Sequence, residues 1–477
     1  MNSQNKILAV LVLGVLMGAI DTTIVLLALP TINAALHTNL VLSVWVILAY
    51  LLVIAVASTQ FGRLGDIYGR GRMFNLGFVV FTVGSLLCGL APSILFLVAF
   101  RIIQGAGGAL LQSNSGAIIA DTFEPRQRGR AFGYTSLGWS FGAMLGILLG
   151  GVLTTFAGWQ YIFFINVPIG IVATYYGMRH IKDSRRTDAR IDWPGMASLT
   201  ASLLLIAYGA IDIAGEGIAV LNVALILIGA VILGIFFLVE TRSKSPLMDL
   251  HIFKNNKVLT RSVLATFFMS LGYLGVVFII IMYLQGVRGL SPLDASLLLT
   301  PGYIVTAIIG PRMGRLSDTH GARIIATIGL ALMMATVTIY LTLTLNSSLY
   351  LILIASFISG LGVSMFFPAN SSAIMANAQQ DQYGSVSGLS RLMQNIGTLS
   401  SYVIILTVAS LSVSRQTAFE IFLGTSRLIG GVSAEFIKGI DAALVLSIIV
   451  LFIAAVLSYS RGRENRGAGH SGPAEQR

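Results

Sequence analysis

The sequence contains little charge for its length. Of its 477 residues, only 10% are charged, whereas 56% are hydrophobic. A water-soluble domain of this size has no core that would need so many apolar side chains. The composition therefore excludes an ordinary soluble protein and indicates a chain that folds within a lipid bilayer.

Cysteine is almost absent, since Cys88 is the single one. One thiol can form neither a disulfide framework within the chain nor a multi-cysteine metal site. The apolar neighbours of Cys88 indicate a packing role. We expect no metal centre, because all five histidines fall in predicted loops or tails: His37, His180, His251, His320 and His470.

Several catalytic signatures are missing as well. The chain lacks a glycine-rich phosphate loop ending in Gly-Lys-Ser/Thr, so ATP-driven pumping is unsupported. It also lacks a His-Glu-x-x-His pair and a Gly-x-Ser-x-Gly turn, which argues against a membrane enzyme. We expect no cofactor, and any active transport would have to draw on the proton gradient.

Long apolar runs are abundant. A membrane-spanning helix needs about 20 mostly apolar residues, and fourteen segments meet that requirement. The alternating pattern of a transmembrane barrel is absent, so the sequence predicts an all-α integral membrane protein. The predicted spans are 7–30, 41–60, 73–92, 93–120, 131–156, 161–178, 193–213, 217–239, 259–285, 293–312, 323–345, 348–375, 385–411 and 439–459.

The basic residues favour one orientation of these spans. With the N-terminus inside, 24 of the 30 Lys and Arg residues fall on the inner side, four fall outside, and Arg101 and Arg391 lie within spans. Positive charge concentrates in the cytoplasmic loops of membrane proteins. We therefore expect both termini in the cytoplasm, and we interpret the net charge of +11 as a topology signal rather than a nucleic-acid surface.

A short motif occurs twice. Residues 62–72 read Gly-Arg-Leu-Gly-Asp-Ile-Tyr-Gly-Arg-Gly-Arg in a predicted loop, and residues 314–323 form a weaker copy. Two parallel halves with a site between them are an established plan for transporters. The repeat predicts an N-terminal six-helix bundle (1–180), a linker with two additional spans (181–258), a C-terminal six-helix bundle (259–460) and a disordered cytoplasmic tail (461–477).

These features resemble the major facilitator superfamily and, with fourteen spans, its fourteen-helix drug:proton antiporter family. Residues 62–72 are similar to the superfamily signature Gly-x-Leu-x-Asp-x-x-Gly-Arg-Arg/Lys, and residues 159–170 resemble the start of span 6 in the fourteen-helix branch. The resemblance implies a major facilitator fold and a conformational latch in which Asp121 is the partner of Arg70. The predicted latch residues are Gly62, Asp66, Gly69, Arg70, Arg72, Asp121, Asp318 and Arg323.

Span 1 contains an acidic residue, Asp21. Residues 18–30 resemble the first-helix signature of the family, although Leu26 stands where Asn is usual. An ionised carboxylate deep in a membrane is costly, so Asp21 should face a cavity or bind a proton. Asp21 is the only acidic residue well inside a predicted span. It is therefore our candidate for proton coupling or for contact with a cationic cargo.

Span 4 contains an arginine motif. Residues 101–109 resemble the Arg-x-x-Gln-Gly-x-Gly motif of the family. An arginine within a span needs a carboxylate, backbone carbonyls or water as partners, unless its side chain reaches the headgroups. The resemblance implies that Arg101 lies near the proton-handling site. We hypothesise that Arg101 and Gln104 act with Asp21, and that a nearby guanidinium favours release of the proton from Asp21.

Span 5 has glycine at every fourth position, which allows close helix contact. It resembles the antiporter motif Gly-x-x-x-Gly-Pro-x-x-Gly-Gly, but Ile147 replaces the proline that kinks this helix in the family. This departure leaves open a proton-coupled symporter or a facilitator for a small metabolite. The predicted packing residues are Gly142, Gly146, Gly150 and Gly151.

A central cavity would hold the cargo. Aromatic and methionine side chains suit promiscuous binding, and the candidate lining residues are Tyr50, Phe141, Met144, Tyr273, Phe366 and Arg391. In the cavity, Arg391 would disfavour dicationic cargo and attract an anionic group. A position at the cytoplasmic end of span 13 is an equal alternative.

The sequence as a whole predicts a proton-coupled efflux transporter that exports small lipophilic or cationic compounds by alternating access, with one proton per cycle. The alternatives are the symporter or facilitator and, from another class, a non-transporting membrane sensor or scaffold. We expect a monomer in the cell membrane. Its partners would be protons, lipids and a small-molecule cargo, but no nucleic acid.

Overall fold

The computed structural model describes residues 3–38, 40–181, 183, 192–242, 256–378, 383–411 and 432–462. Within these ranges every regular element is a helix and no strand occurs. Fourteen helices in the described part are long and apolar enough to cross a membrane. The all-α membrane fold predicted from the sequence is confirmed. Most of the proposed tail and the segment 412–431 lie outside the described residues.

We number the helices by span. They are α1 (Ser3–Ala35), α2 (Leu40–Tyr68), α3 (Arg70–Gly89), α4 (Ile94–Thr122), α5 (Pro125–Phe156), α6 (Tyr161–His180, interrupted at Ile165), α7 (Trp193–Glu216), α8 (Val220–Glu240), α9 (Lys257–Met282, extended by a π turn at Tyr283–Val287), α10 (Pro292–His320), α11 (Ala322–Tyr340), α12 (Leu349–Ala376), α13 (Tyr383–Leu411) and α14 (Val432–Ser460).

The repeated motif is not the loop that the sequence predicted. Residues 62–68 continue α2, and a single residue, Gly69, separates α2 from α3 with φ 110° and ψ 122°. Gly321 separates α10 from α11 in the same way, with φ 92° and ψ 136°. A positive φ is accessible to glycine at little cost. The two copies thus form the same helix break, which supports an internal repeat.

Glycine also sets the packing of α1 on α5. A Cβ atom on Gly142 would lie 2.8 Å from the Leu16 carbonyl oxygen, and one on Gly150 would lie 3.0 Å from that of Ile24. Without a hydrophobic force between helices in lipid, such close backbone approach supplies the van der Waals contact that holds them. The glycine ladder therefore fixes α1 directly against α5.

The helices α7 and α8 pack against each other, and α7 contacts both α2 and α13. The Asp192 backbone N–H donates to Gln60 Oε1 at 3.1 Å, which ties the start of α7 to α2. At its other end, the Ala210 carbonyl accepts from Thr407 Oγ1 of α13 at 2.9 Å. We call α1–α6 the first six-helix group and α9–α14 the second. The additional pair thus touches one helix of each group.

Because fourteen helices cross in alternation, Ser3 and Gly462 lie on the same side of the bundle. We call this side the termini side and the opposite side the far side. The motif breaks at Gly69 and Gly321 lie on the termini side, since each follows a helix that began on the far side.

Candidate functional site

A cleft between the two six-helix groups opens towards the termini side. Gly133 and Gly151 are separated by 18 residues, or five helical turns, so they lie on the same face of α5. A Cβ atom on Gly151 would meet α10 at Ser296 and, at 2.9 Å, at the Pro292 carbonyl. A Cβ atom on Gly133 would have no described neighbour within 4 Å. Helices α5 and α10 therefore touch on the far side and diverge towards the termini.

The pair α4 and α13 shows the same opening. Asn395 of α13 donates through Nδ2 to Gln112 Oε1 of α4 at 3.3 Å, so the groups meet at this level. One face of α13 includes Asn395 and Gly388, which is two turns nearer the termini side. A Cβ atom on Gly388 would again have no described neighbour within 4 Å. The cleft therefore reaches from the termini side up to the Asn395–Gln112 contact.

Beside this cleft, the first group contains a buried ion pair. Asp21 of α1 accepts from Arg101 of α4, with 2.6 Å between Oδ2 and the guanidinium nitrogen. Asp21 is 0% exposed and Arg101 is 1% exposed. Burial of either charge alone would be expensive, and the pairing makes both tolerable. The structure thus shows the Asp21–Arg101 contact that the sequence suggested as a hypothesis.

Gln104 connects the two charges through its amide. Its Nε2 donates to Asp21 Oδ1 at 2.8 Å, while its Oε1 accepts from Arg101 at 2.6 Å. Arg101 and Gln104 are three residues apart and therefore share one face of α4. The arginine also donates through Nε to the Val46 carbonyl of α2 at 2.9 Å. Three helices converge on the carboxylate and its counter-ion.

Two further polar residues complete the cluster, and sequence reasoning did not select them. Asn166 of α6 donates to Asp21 Oδ1 at 3.4 Å and to Ser85 Oγ of α3 at 3.1 Å. Ser85 Oγ also accepts from Gln104 at 3.0 Å. Both Asn166 and Ser85 are 0% exposed. An asparagine inside the motif at residues 159–170 was the signal available for Asn166; Ser85 had no comparable one.

Aromatic rings enclose the guanidinium. The Arg101 carbon Cζ lies 4.1 Å from the centroid of the Tyr50 ring and 5.7 Å from that of Phe163. Cation–π contacts of this kind strengthen when water is excluded. At the edge of the cluster, the Cys88 thiol lies 3.6 Å from Gln104 Oε1. Tyr50, expected in the cavity, is instead a wall of the ion-pair cluster.

The cluster adjoins the cleft through α1. Thr22, the next residue after Asp21, is half-buried, and a Cβ atom on Gly18 one turn away would have no described neighbour within 4 Å. The Thr22 hydroxyl donates to the Gly18 carbonyl at 2.8 Å. A compound that occupies this face of α1 would therefore sit one residue from the carboxylate. Chemically, the Asp21 carboxylate can bind one proton. The ion pair with Arg101 is then replaced by a neutral carboxyl group.

The latch residues lie at the termini side of the first group. Arg70 contacts Asp66 at 2.7 Å and Asp121 at 2.8 Å, which is the partner that the resemblance implies. Arg72 contacts Asp183 at 2.8 Å, a residue that the sequence analysis had not selected. These contacts join the ends of α2, α3, α4 and α6 within one group. A Cβ atom on Gly62 would have Ser113 Cβ as its neighbour, at 3.6 Å.

The second copy of the motif is built differently. The Arg323 guanidinium carbon lies 4.4 Å from the centroid of the Tyr459 ring. The side chain of Asp318 lies outside the described residues, so an Asp318–Arg323 pairing stays a prediction. The backbone break is therefore repeated in the second group, whereas the described contacts of its arginine differ.

The other predicted cavity residues have diverse surroundings. In this conformation Tyr273 and Phe366 are 3% and 0% exposed, so they are enclosed rather than open to the cleft. Met144 is half-buried. Phe141 is 47% exposed and lies about 80° around α5 from Gly151, the residue that meets α10. Arg391 is half-buried on α13.

In the part of the chain that the structure describes, no group of three His, Cys, Asp or Glu residues could hold a metal ion. A bundle of membrane-crossing helices with a cleft between two groups and an ion pair beside it defines a membrane transport protein.

Comparison with known proteins agrees with this class. The family model of the Major Facilitator Superfamily matches residues 11–401, and the chain belongs to that family. It is 31% identical over 385 residues to the riboflavin transporter RibZ of Clostridioides difficile, covering 79% of this chain and 82% of that protein. It is 30% identical over 403 residues to multidrug resistance protein 3 of Bacillus subtilis, covering 83% and 78% respectively.

A solved structure shares the fold. A bacterial homologue of the human lysosomal transporter Spinster superimposes with a TM-score of 0.69 at 17% identity, covering 97% of both chains. The chain is therefore a multi-pass membrane transporter of the major facilitator fold and not an enzyme. The alternative of a non-transporting scaffold does not agree with this membership.

Proposed function

We propose that this protein exports small lipophilic compounds in exchange for protons, and that Asp21 binds the exchanged proton. The observation that carries the proposal is the enclosed Asp21–Arg101 pair, with 2.6 Å between its charged atoms. An intramembrane acid that has a counter-ion and adjoins a cleft is suited to reversible protonation. Several relatives are named multidrug resistance proteins, which supports export as the direction.

The cleft gives the exchange its geometry. With both termini in the cell interior, as the distribution of Lys and Arg favours, the cleft admits compounds from the cytoplasm or the inner leaflet. Protonation of Asp21 removes its charge and releases Arg101 and Gln104 from it. Because these residues belong to α1 and α4, the change alters the contact between two helices of the first group. Binding of cargo and protonation of Asp21 are then competing events within one conformational cycle.

Asp21 suits a proton better than a cationic cargo. The sequence left both roles open, on the expectation that the carboxylate faces a cavity. In the structure the carboxylate is enclosed and accepts from Arg101, Gln104 and Asn166. A cation would have to displace these donors, whereas a proton needs only access to one oxygen. We therefore assign one proton per cycle to Asp21, and we expect the protein to act as a monomer in a bacterial cell membrane.

Transport of a metabolite is the second candidate. It is supported by the relative named as a riboflavin transporter and by Ile147, which is fully buried in α5 where the antiporter motif has proline. A facilitator of this kind would move its cargo without moving protons. The two candidates therefore differ in a measurable quantity, the proton flux that accompanies the cargo.

The test uses purified protein in liposomes that contain a pH-sensitive dye. Ethidium, uncharged 1-pyrenebutyramide and riboflavin are added in turn to wild-type protein, to Asp21→Asn and to Asp294→Asn. Asp294 is a matched control because it is an exposed acidic residue at the far-side start of α10. Antiport predicts proton movement evoked by a lipophilic compound, its loss in Asp21→Asn and its retention in Asp294→Asn.

A contrary result would be cargo flux without proton movement in all three proteins, which supports the facilitator. Proton flux that runs in the same direction as riboflavin would support a symporter. Proton movement that survives in Asp21→Asn would leave antiport intact but remove Asp21 from it.

A further inference from the structure

We propose that Arg391 is a cargo-recognition residue, and that it selects lipophilic compounds that carry a single anionic group such as a carboxylate. This inference rests on the transport function proposed above and specifies its substrate class. It begins from an arginine that the ion-pair cluster does not use.

Arg391 has no partner among the residues that the structure describes. Within the part of the chain that the structure describes, its guanidinium makes no hydrogen bond and no ion pair, and no carboxylate acts on it electrostatically. Arg101, the other arginine that the sequence placed within a span, pairs with a carboxylate at 2.6 Å. Since a guanidinium stays charged in proteins, Arg391 presents a positive charge that no described residue balances.

The position of Arg391 on α13 directs it towards the cleft. Gly388, Arg391 and Asn395 are three and four residues apart, so they lie on one face of the helix. Asn395 on this face contacts Gln112 of the other group, and Gly388 borders open space. Arg391 lies between these two levels. It therefore belongs to the wall of the cleft and not to the surface that meets lipid.

Arg391 lies inside α13 rather than at its end. The helix begins at Tyr383, and eight residues correspond to about 12 Å along a helix. One turn deeper, Gln112 accepts hydrogen bonds from Asn395 at 3.3 Å and from Ser58 at 3.5 Å. Arg391 and these polar groups form a recognition patch where the open cleft ends.

The charge of Arg391 decides which cargo the patch favours. In the open cleft, water can solvate the guanidinium. When the cleft closes around cargo, that water is lost and an unpaired guanidinium becomes costly. A carboxylate offers a fork-shaped, charge-assisted partner that removes this cost, whereas a cation adds repulsion. An anionic group on the cargo therefore favours both binding and closure.

The experiment measures binding of three fluorescent probes to purified protein in nanodiscs. They are 1-pyrenebutyrate, its uncharged amide 1-pyrenebutyramide, and 1-pyrenemethylammonium, so the aromatic body is shared and the charge differs. For wild-type protein we expect the order anion, then amide, then cation in affinity. In Arg391→Gln the affinity for the anion should fall by about tenfold or more, while the affinity for the amide changes little.

Two variants make the result specific. Arg312→Gln is the matched control, because Arg312 is an exposed arginine on α10, the helix that diverges from α5 on the termini side. This variant should leave all three affinities unchanged. Arg391→Glu should reverse the order and favour the ammonium probe. Retained anion preference in a folded Arg391→Gln protein, or equal weakening of anion and amide, would overturn the proposal. So would a wild-type protein that does not prefer the anion to the amide.

These outcomes are separate from those of the proposed function. If proton movement accompanies the amide but Arg391 does not discriminate by charge, exchange stands and this inference is wrong. If Arg391 discriminates by charge but no cargo evokes proton movement, the recognition patch stands and proton exchange is wrong.

Discussion

Gly133 and Gly151 occupy the same face of α5, yet only Gly151 touches α10. The five turns between them correspond to about 27 Å of helix. Over that length a direct backbone contact becomes open space. The surroundings of these two glycines therefore show that the bundle is closed on the far side and open on the termini side.

This relationship predicts a variant that changes the preferred conformation. A Cβ atom in Gly151→Ala would lie 2.7 Å from Ser296 Cβ and 2.9 Å from the Pro292 carbonyl, so the closed far side becomes strained. In an alternating-access cycle the far-side ends separate, which relieves the clash. Spin labels on the termini-side ends of α5 and α10 should then report shorter distances than in wild type.

Gly133→Ala is the control for this experiment, because its new methyl group faces open space on the same helix. It should leave the distance distribution as in wild type. An unchanged distribution in Gly151→Ala would mean that α5 and α10 adjust locally, without a shift between the two conformations.

A second prediction concerns the contact between α1 and α5. Gly146→Ala would bring a Cβ atom against Thr23 and within 2.7 Å of the Ile20 carbonyl. Overpacking of this kind costs about 1–3 kcal/mol. We expect a lower melting temperature in detergent, measured through tryptophan fluorescence, for Gly146→Ala but not for Gly133→Ala. Equal stability of the two variants would show that the helices separate without cost.

The latch predicts an unequal effect of two neighbouring arginines. Arg70 is 24% exposed and contacts two carboxylates, whereas Arg72 is 65% exposed and contacts one. An exposed ion pair contributes about 1 kcal/mol or less. Arg70→Gln should therefore lower the melting temperature more than Arg72→Gln, and added salt should reduce the difference. The opposite ranking would assign the larger stabilisation to Asp183.

Much of the fold follows from the sequence because the bilayer restricts it. Long apolar runs have to be helices in lipid, and this predicted all fourteen spans. The helix ends were harder to predict. Helix α2 continues past its apolar run to Tyr68, and polar residues near the headgroups give no hydropathy signal. The single-residue break at Gly69 depends on backbone conformation, and the motif was interpreted as a loop for that reason.

The site was predictable where charge is costly. An arginine and an aspartate within spans need partners, and the family resemblance placed Arg101 near the proton-handling site, so the pair Asp21–Arg101 could be stated as a hypothesis. Ser85 and Asn166 are uncharged, and their roles arise only because α3 and α6 pack against α4 and α1. The expected cavity residues were less reliable, because an aromatic side chain on a membrane helix is equally compatible with lipid, with the core and with a cavity.

The central claim is that Asp21 exchanges its proton against cargo. The most direct measurement adds uncharged 1-pyrenebutyramide to purified protein in weakly buffered detergent and counts the protons released per cargo bound, by a pH indicator. At the pH at which half of the Asp21 carboxyls are protonated in the cargo-free protein, we predict release of about 0.5 proton per cargo from wild type, rising towards one below that pH, and none from Asp21→Asn. Saturable binding that releases no proton from wild-type protein at any pH, or equal release from Asp21→Asn, would contradict the account.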